Sequence, residues 1–161
     1  MSSKTETIDT THSKVSFSVK KLGFITVTGT ISDFQGRILF NENDLGNSKF
    51  DVSISPITID TGNAKRDEHL KSKDFFFAKE FPKISYHSTE IRKVGDEFIA
   101  LGKLSLLNST QEVSIPFSYD NRLLKGNFLI NRLDFDLGKK FPSFIASKRV
   151  EVSINANIKE Q

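Results

Sequence analysis

Apolar and polar residues alternate along most of this chain, which is the period of a strand with one buried face and one wet face. Val15, Phe17 and Val19 alternate with Ser16, Ser18 and Lys20. Ile25, Val27 and Ile31 alternate with Thr26, Thr28 and Thr30, and Gly29 falls in the apolar phase. Phe50, Val52 and Ile54 continue the pattern. After Ser55-Pro56 it resumes at Ile57 and Ile59, one residue out of step, which predicts a bulge or an edge position at Pro56. Shorter runs follow at Ile84 and Tyr86, at Phe98, Leu104 and Leu106, from Val113 to Tyr119, and at Phe128 and Ile130. The most regular run is the last, Val150 to Ile158 in steps of two. Turn-forming residues at Asn41 to Gly46, Gly95-Asp96, Asn108 to Thr110 and Asp120-Asn121 separate these runs, so consecutive strands are expected to pair antiparallel. Only the segment from Asn63 to Lys71 breaks the alternation; it is rich in helix formers and predicts one short helix capped by Asn63. Many strands with one apolar face each must close into a barrel or stack as a sandwich, and periodicity alone does not choose.

Length and composition narrow the classes. The 161 residues suit a single domain over 1–161, with no repeat, linker or low-complexity stretch. Phe occurs 15 times against two Tyr, one Met and no Trp, so the large apolar volume comes from a ring without polar atoms. The net charge of +3 reflects 23 basic against 20 acidic residues interspersed along the chain, which argues against a nucleic-acid partner. With no cysteine, disulfides and thiolate metal sites are excluded. No apolar run is long enough for a signal peptide or a membrane span, so the expectation is a soluble cytoplasmic protein without stable membrane insertion, or a periplasmic one if a leader has been removed.

Several stretches carry a resemblance. Ile8-Asp-Thr-Thr-His-Ser-Lys-Val-Ser-Phe17 is similar to the opening of YceI-like proteins. The stretch from Ile59 to Phe76 resembles that family's most distinctive segment, with Arg66-Asp67, His69-Leu70 and Asp74-Phe75-Phe76 in order. Phe81-Pro82 before a strand and Asn131-Arg-Leu-Asp-Phe135 near the end also fit, so the likeness runs from about Ile8 to Ile158. It departs from the family at Leu107 to Gln111 and at Asp134-Phe-Asp136. The resemblance implies an all-β fold, a lipocalin-like antiparallel barrel of about eight strands with one short helix, closed around an elongated apolar cavity. It also implies a long-chain amphiphile as ligand: a polyisoprenoid such as a quinone or isoprenoid phosphate, or a fatty-acid derivative.

The residues expected to line that cavity lie in the apolar phase: Phe17, Val19, Val27 and Gly29 near the start, then Phe98, Gly102 and Leu104. Phe128 and Ile130 follow, with Ile154 and Ala156 in the last run. Phe75, Phe76, Phe81 and Phe135 join them from the Phe-rich and C-terminal stretches. Gly29, Ala100, Gly102 and Ala156 occupy inward positions with little or no side chain, which leaves room inside. His12, Arg66, His69 and Arg132 are the candidates for a polar head or the mouth, Arg being suited to phosphate or carbonyl oxygens. The three histidines, His12, His69 and His87, have no metal-ligand spacing, and neither metal, cofactor nor catalytic residue is expected. Arg66, Asp67 and His69 beside His12-Ser13 could be drawn as acid, base and nucleophile, but Arg66 and His69 share a helix face that Asp67 does not. Three readings stay open: a lipid binder, an enzyme acting on a lipid at the barrel mouth through His12, Arg66 or His69, and a packed structural or stress protein without a ligand. The oligomeric state is open too, a homodimer included.

Overall fold

The computed structural model describes residues 4–9 and 12–160. Among them are nine strands: β1 (Lys4–Ile8), β2 (Lys14–Lys21), β3 (Ile25–Phe40), β4 (Lys49–Asp60), β5 (Ile84–Val94), β6 (Glu97–Leu106), β7 (Ser109–Asp120), β8 (Leu123–Asn131) and β9 (Ala146–Glu160). One α-helix, α1 (Ala64–Lys71), joins β4 to the loop before β5. From β4 to β9 each strand of the meander pairs antiparallel with the next. β3 pairs with β4 as well as β2, and β2 pairs with β9, so the sheet closes on itself. β1 lies in the same slot as β2, between β3 and β9, with Thr7 opposite Arg37 and Ile8 opposite Ile158. Nine strands therefore make a closed antiparallel barrel of eight staves, as expected from the alternation and the resemblance.

The out-of-step apolar phase in β4 has a physical cause close to its expected place. Pro56 keeps the inward phase and is fully buried, while Ile57 turns outward at 58% exposed and Ile59 returns to the core. Between the pairs Thr30–Asp60 and Ser32–Ser55 the register shifts, and Thr58 fills the break: its Oγ1 accepts from the Ser32 amide and donates to the Ser55 carbonyl. The slip therefore falls after Pro56, and Ile57 does not face inward. Helix α1 begins where expected. The Asn63 side chain accepts from the Arg66 amide, and the helix ends at Ser72, whose amide bonds the His69 carbonyl.

The interior has two unlike halves. At the end holding the β5–β6 and β7–β8 turns, Phe40 meets Phe50, Phe98, Phe117 and Tyr119 with ring centroids 4.9–6.2 Å apart, and Phe98 stacks on Phe117 at 5.5 Å. These rings make a solid plug. Outward positions such as Lys103, Glu112, Ser118 and Lys125 are exposed, the reverse of the apolar exterior of a transmembrane barrel. Among the described residues no helix is long and apolar enough to cross a membrane.

Candidate functional site

The other half of the barrel is hollow. A cavity of about 180 Å³ lies between the plug and α1, many times the roughly 10–15 Å³ that one water needs by the same measure. Its wall is almost wholly apolar. Val15, Phe17 and Val19 of β2 face Ile84, Leu104 and Leu106 across it, and Phe128, Ile130, Val152 and Ile154 close the side made by β8 and β9. The polar residues in the wall are Ser53, Ser85, Tyr86 and Arg132, and the Tyr86 hydroxyl proton is shared between the carbonyls of Val113 at 2.9 Å and Ala100 at 3.2 Å. Burial pushes that phenol above its ordinary range.

The outer end is covered from two sides. Leu70 of α1, Phe75 and Phe76 line the cavity from the helix side. From the other side comes the 137–146 segment, whose Phe141 stacks on Phe75 with centroids 5.0 Å apart and planes 12° from parallel. The His69 ring sets its edge against both, at 5.2 Å from Phe75 and 5.7 Å from Phe141. His69 Nε2 donates to Asp74 at 3.0 Å, and Lys140 Nζ donates to the other carboxylate oxygen at 3.2 Å. The bonds from His69 first, then Lys140, hold the Asp74 carboxyl below the usual carboxylate range. The two halves of the cover are thus joined by an aromatic stack and a shared carboxylate.

Arg132 is placed at the mouth but is not available to a ligand head. It is 3% exposed, and its guanidinium gives Nε to the Ser147 carbonyl, Nη1 to Leu137 and Gly138, and Nη2 to Phe141 and Ala146, at 2.6–2.9 Å. All five donors are spent on the 137–147 segment, which Arg132 clamps from beneath. Arg66 is committed in part: Nε and Nη2 donate to the hydroxyl and carbonyl of Thr61, whose hydroxyl and amide in turn donate to Asp67, and the residue is half-buried. His12 lies elsewhere. Its Nδ1 bonds Asp9, and its carbonyl accepts from the Asn157 side chain, at the level of the β7–β8 turn on the plug end. His12 and His69 therefore occupy opposite ends, and no acid–base–nucleophile set is assembled from them. Among the described residues no group of three histidines or carboxylates is arranged to hold a metal.

Of the residues expected in the cavity wall, Phe17, Val19, Phe75, Phe76, Leu104, Phe128, Ile130 and Ile154 stand there. The remaining seven do not. Phe98 belongs to the plug, and Phe135 and Ala156 are buried in the packed core. Val27 faces Val19 at the barrel rim but is buried outside the cavity, and Phe81 packs on Phe77 in the loop before β5. Gly29 and Gly102 leave no room for a ligand. The Phe17 ring lies across Gly29, where a Cβ would stand 2.6 Å from Cζ, and β5 crosses Gly102, where a Cβ would stand 2.5 Å from the His87 carbonyl. Other residues line the cavity without having been expected, among them Val15, Leu70, Ile84, Leu106, Leu137, Val150 and Val152. Leu70 had a signal: it is the single large apolar residue of α1.

Comparison with known proteins agrees with this architecture. A family model described as YceI-like domain matches residues 7–158. The chain is 35% identical over 102 residues to a UPF0312 protein of Photorhabdus laumondii, covering 63% of this chain and 53% of that protein. It is 36% identical over 104 residues to protein YceI of Escherichia coli O157:H7, covering 65% and 54%. The aligned chain thus spans about half the length of these curated relatives. Among solved structures, Burkholderia cenocepacia BcnA superposes with a TM-score of 0.85 at 21% identity, over 92% of this chain and 98% of that one. A polyisoprenoid binding domain from Saccharophagus degradans, implicated in plant cell wall breakdown, superposes with a TM-score of 0.73 at 14% identity, over 97% and 98%. At these identities the structural likeness is one of fold.

Proposed function

The chain belongs to the YceI-like family, and from that premise we propose that it binds a long-chain amphiphile, a polyisoprenoid or a fatty-acid derivative, with the tail in the barrel cavity. The observation that carries this reading is the hollow, apolar half of the barrel, set against a plug that fills the other half. A protein needing only a stable barrel gains nothing from an unfilled interior, since missing contacts cost stability. The polyisoprenoid binding domain of Saccharophagus degradans, which shares the fold, supports the same ligand class.

Affinity then comes from the tail. At about 0.8 kcal/mol per buried methylene, a dozen carbons hold a ligand without any ionic contact. The two large polar side chains in the wall, Arg132 and Tyr86, are already engaged by backbone carbonyls, so the head group stays at the mouth and chain length governs selection. Binding and carriage need no catalytic group.

The experiment is mass spectrometry of a solvent extract of the purified protein, beside the same measurement on Ile154→Phe. The wild type is expected to yield a long-chain lipid in near-stoichiometric amount. Ile154 lines the cavity, so the added ring occupies the space of the tail; lipid content falls while the melting temperature, compared with that of delipidated wild type, holds or rises. An empty extract, together with failure to take up an added long-chain quinone or fatty acid, would refute the reading. So would a large loss of stability in Ile154→Phe relative to delipidated wild type, because overpacking of a filled core costs roughly 1–3 kcal/mol.

A further inference from the structure

We propose that the mouth end of the barrel is a docking surface for an anionic lipid bilayer, the membrane from which the cavity ligand is drawn and to which it is returned. The ligand part of this rests on the function proposed above; the docking part rests on the surface itself. The β2–β3 hairpin tip and the 142–146 turn are tied together, the Leu22 amide donating to the Ile145 carbonyl at 2.9 Å. Together they project Leu22, Phe24, Ile25 and Phe144 at 49%, 76%, 42% and 73% exposure. Leu22 sits at φ 54°, in the left-handed region that a bulky side chain rarely adopts, and with Gly23 it forms the tight turn that thrusts these side chains out of the barrel rim.

Cations surround these apolar tips. The register of β2 on β9 shifts between Val19–Val150 and Lys21–Ala146, and this bulge sets Lys148 and Arg149 beside Lys20 and Lys21. Lys139 and Lys140 precede Phe144 on the 137–146 segment, and all six cations are exposed. Lys140 is paired with Asp74; among the described residues no ion pair engages the other five. Apolar tips that insert, ringed by lysine and arginine that meet phosphate, are the two signals a peripheral protein combines on an anionic leaflet. A second copy of the chain is a poorer occupant, because face-to-face contact would bring two rows of lysines together. The surface is continuous with the cover of the cavity. Phe141, stacked on Phe75, is three residues from Phe144, so the turn that would enter the bilayer is the one that closes the cavity.

The test is co-sedimentation of the full chain with vesicles of phosphatidylcholine alone and of equal parts phosphatidylcholine and phosphatidylglycerol. Binding is expected to the second and not the first, and to be lost at molar salt, where charges are screened within a few ångströms. Phe24→Ser with Phe144→Ser is expected to lower partitioning about tenfold or more. Lys148→Gln with Arg149→Gln is expected to lower it about fivefold per charge, with melting curves unchanged. Equal binding to both vesicles, no binding to either, or full binding by the double-serine variant would overturn the proposal. So would a dimer in sedimentation velocity that the same variant converts to monomer, since the patch would then belong to a second copy. Lipid content is measured on the same samples. Vesicle binding without co-purified lipid sinks the cavity reading and leaves the docking surface standing; co-purified lipid without vesicle binding does the reverse.

Discussion

At the scale of single residues, the most consequential side chain is one whose chemistry suggested a ligand contact and whose geometry forbids it. Arg132 spends five donors on five carbonyls of one irregular segment, a task no other side chain can perform. Arg132→Lys keeps the charge but offers three donors from a point, so several carbonyls lose their partner. We expect a loss of about 3 kcal/mol in denaturant unfolding and faster proteolysis within 137–147. A neutral result in both measurements would mean that the segment holds itself. Gly102 is the converse: its missing side chain suggested open space, whereas it marks a close approach of β5 at the register shift between Ser88 and Glu90. Phase along a strand tells which face a residue occupies; it does not tell how far along the barrel axis the residue stands. That is why Phe98 and Ala156, both read as inward from the sequence, lie inside the protein but outside the cavity, and why Leu104 and Ile154 lie within it; Phe135 stands in a short 3-10 turn, Arg132–Phe135, where strand phase does not apply.

At the scale of elements, the strands and the helix were legible because their signals are local: alternation for each strand, Asn63 and a run of helix formers for α1. The slip at Pro56 was legible as well, one step from its true position. Closure was not, since the pairs that close the ring, β2 with β9 and β3 with β4, depend on strands distant in sequence or on one long strand serving two neighbours. The cover of the cavity is invisible to sequence for the same reason: His69 and Asp74 on one side meet Lys140 and Phe141 on the other. This junction titrates with a definite sign. Because the Asp74 carboxyl is held below its ordinary range, the pairing contributes above that range and is lost as pH falls through the lowered value. The cover should therefore stay latched through neutral and mildly acidic pH and loosen only in stronger acid. His69→Ala removes the largest cause of the shift and one ring of the stack, so the Asp74 carboxyl, followed by NMR, should titrate at higher pH than in the wild type. Ligand exchange should speed up in parallel, with equilibrium affinity changed less. An unmoved Asp74 titration in that variant would show that the contact is not formed in solution.

At the scale of the whole molecule, the function proposed above would divide stability and binding between the two ends of one barrel. The plug is dense with rings and built from strands paired on both sides, whereas the mouth is irregular chain held by Arg132, Thr61 and the shared Asp74. Ligand entry needs the mouth to open, and opening is inexpensive only where few buried contacts are broken. A barrel uniformly packed would have no interior to offer, and one hollow throughout would lose the ring contacts that secure its fold. The arrangement predicts that the two properties separate under mutation. Phe117 touches the rings of Phe40, Phe50 and Phe98 and is 2% exposed. Phe117→Ala should cost about 3–5 kcal/mol, through lost burial and a new void beneath the cavity floor. The lipid bound per folded molecule should nevertheless match the wild type, because Phe117 does not line the cavity. Added ligand should recover part of the lost melting temperature, since whatever binds only the folded state draws the equilibrium toward it. Unfolding curves with and without ligand, alongside extracted lipid per folded protein, measure both quantities. A variant that kept its stability but lost its lipid would put the binding site at the plug end and reverse the division.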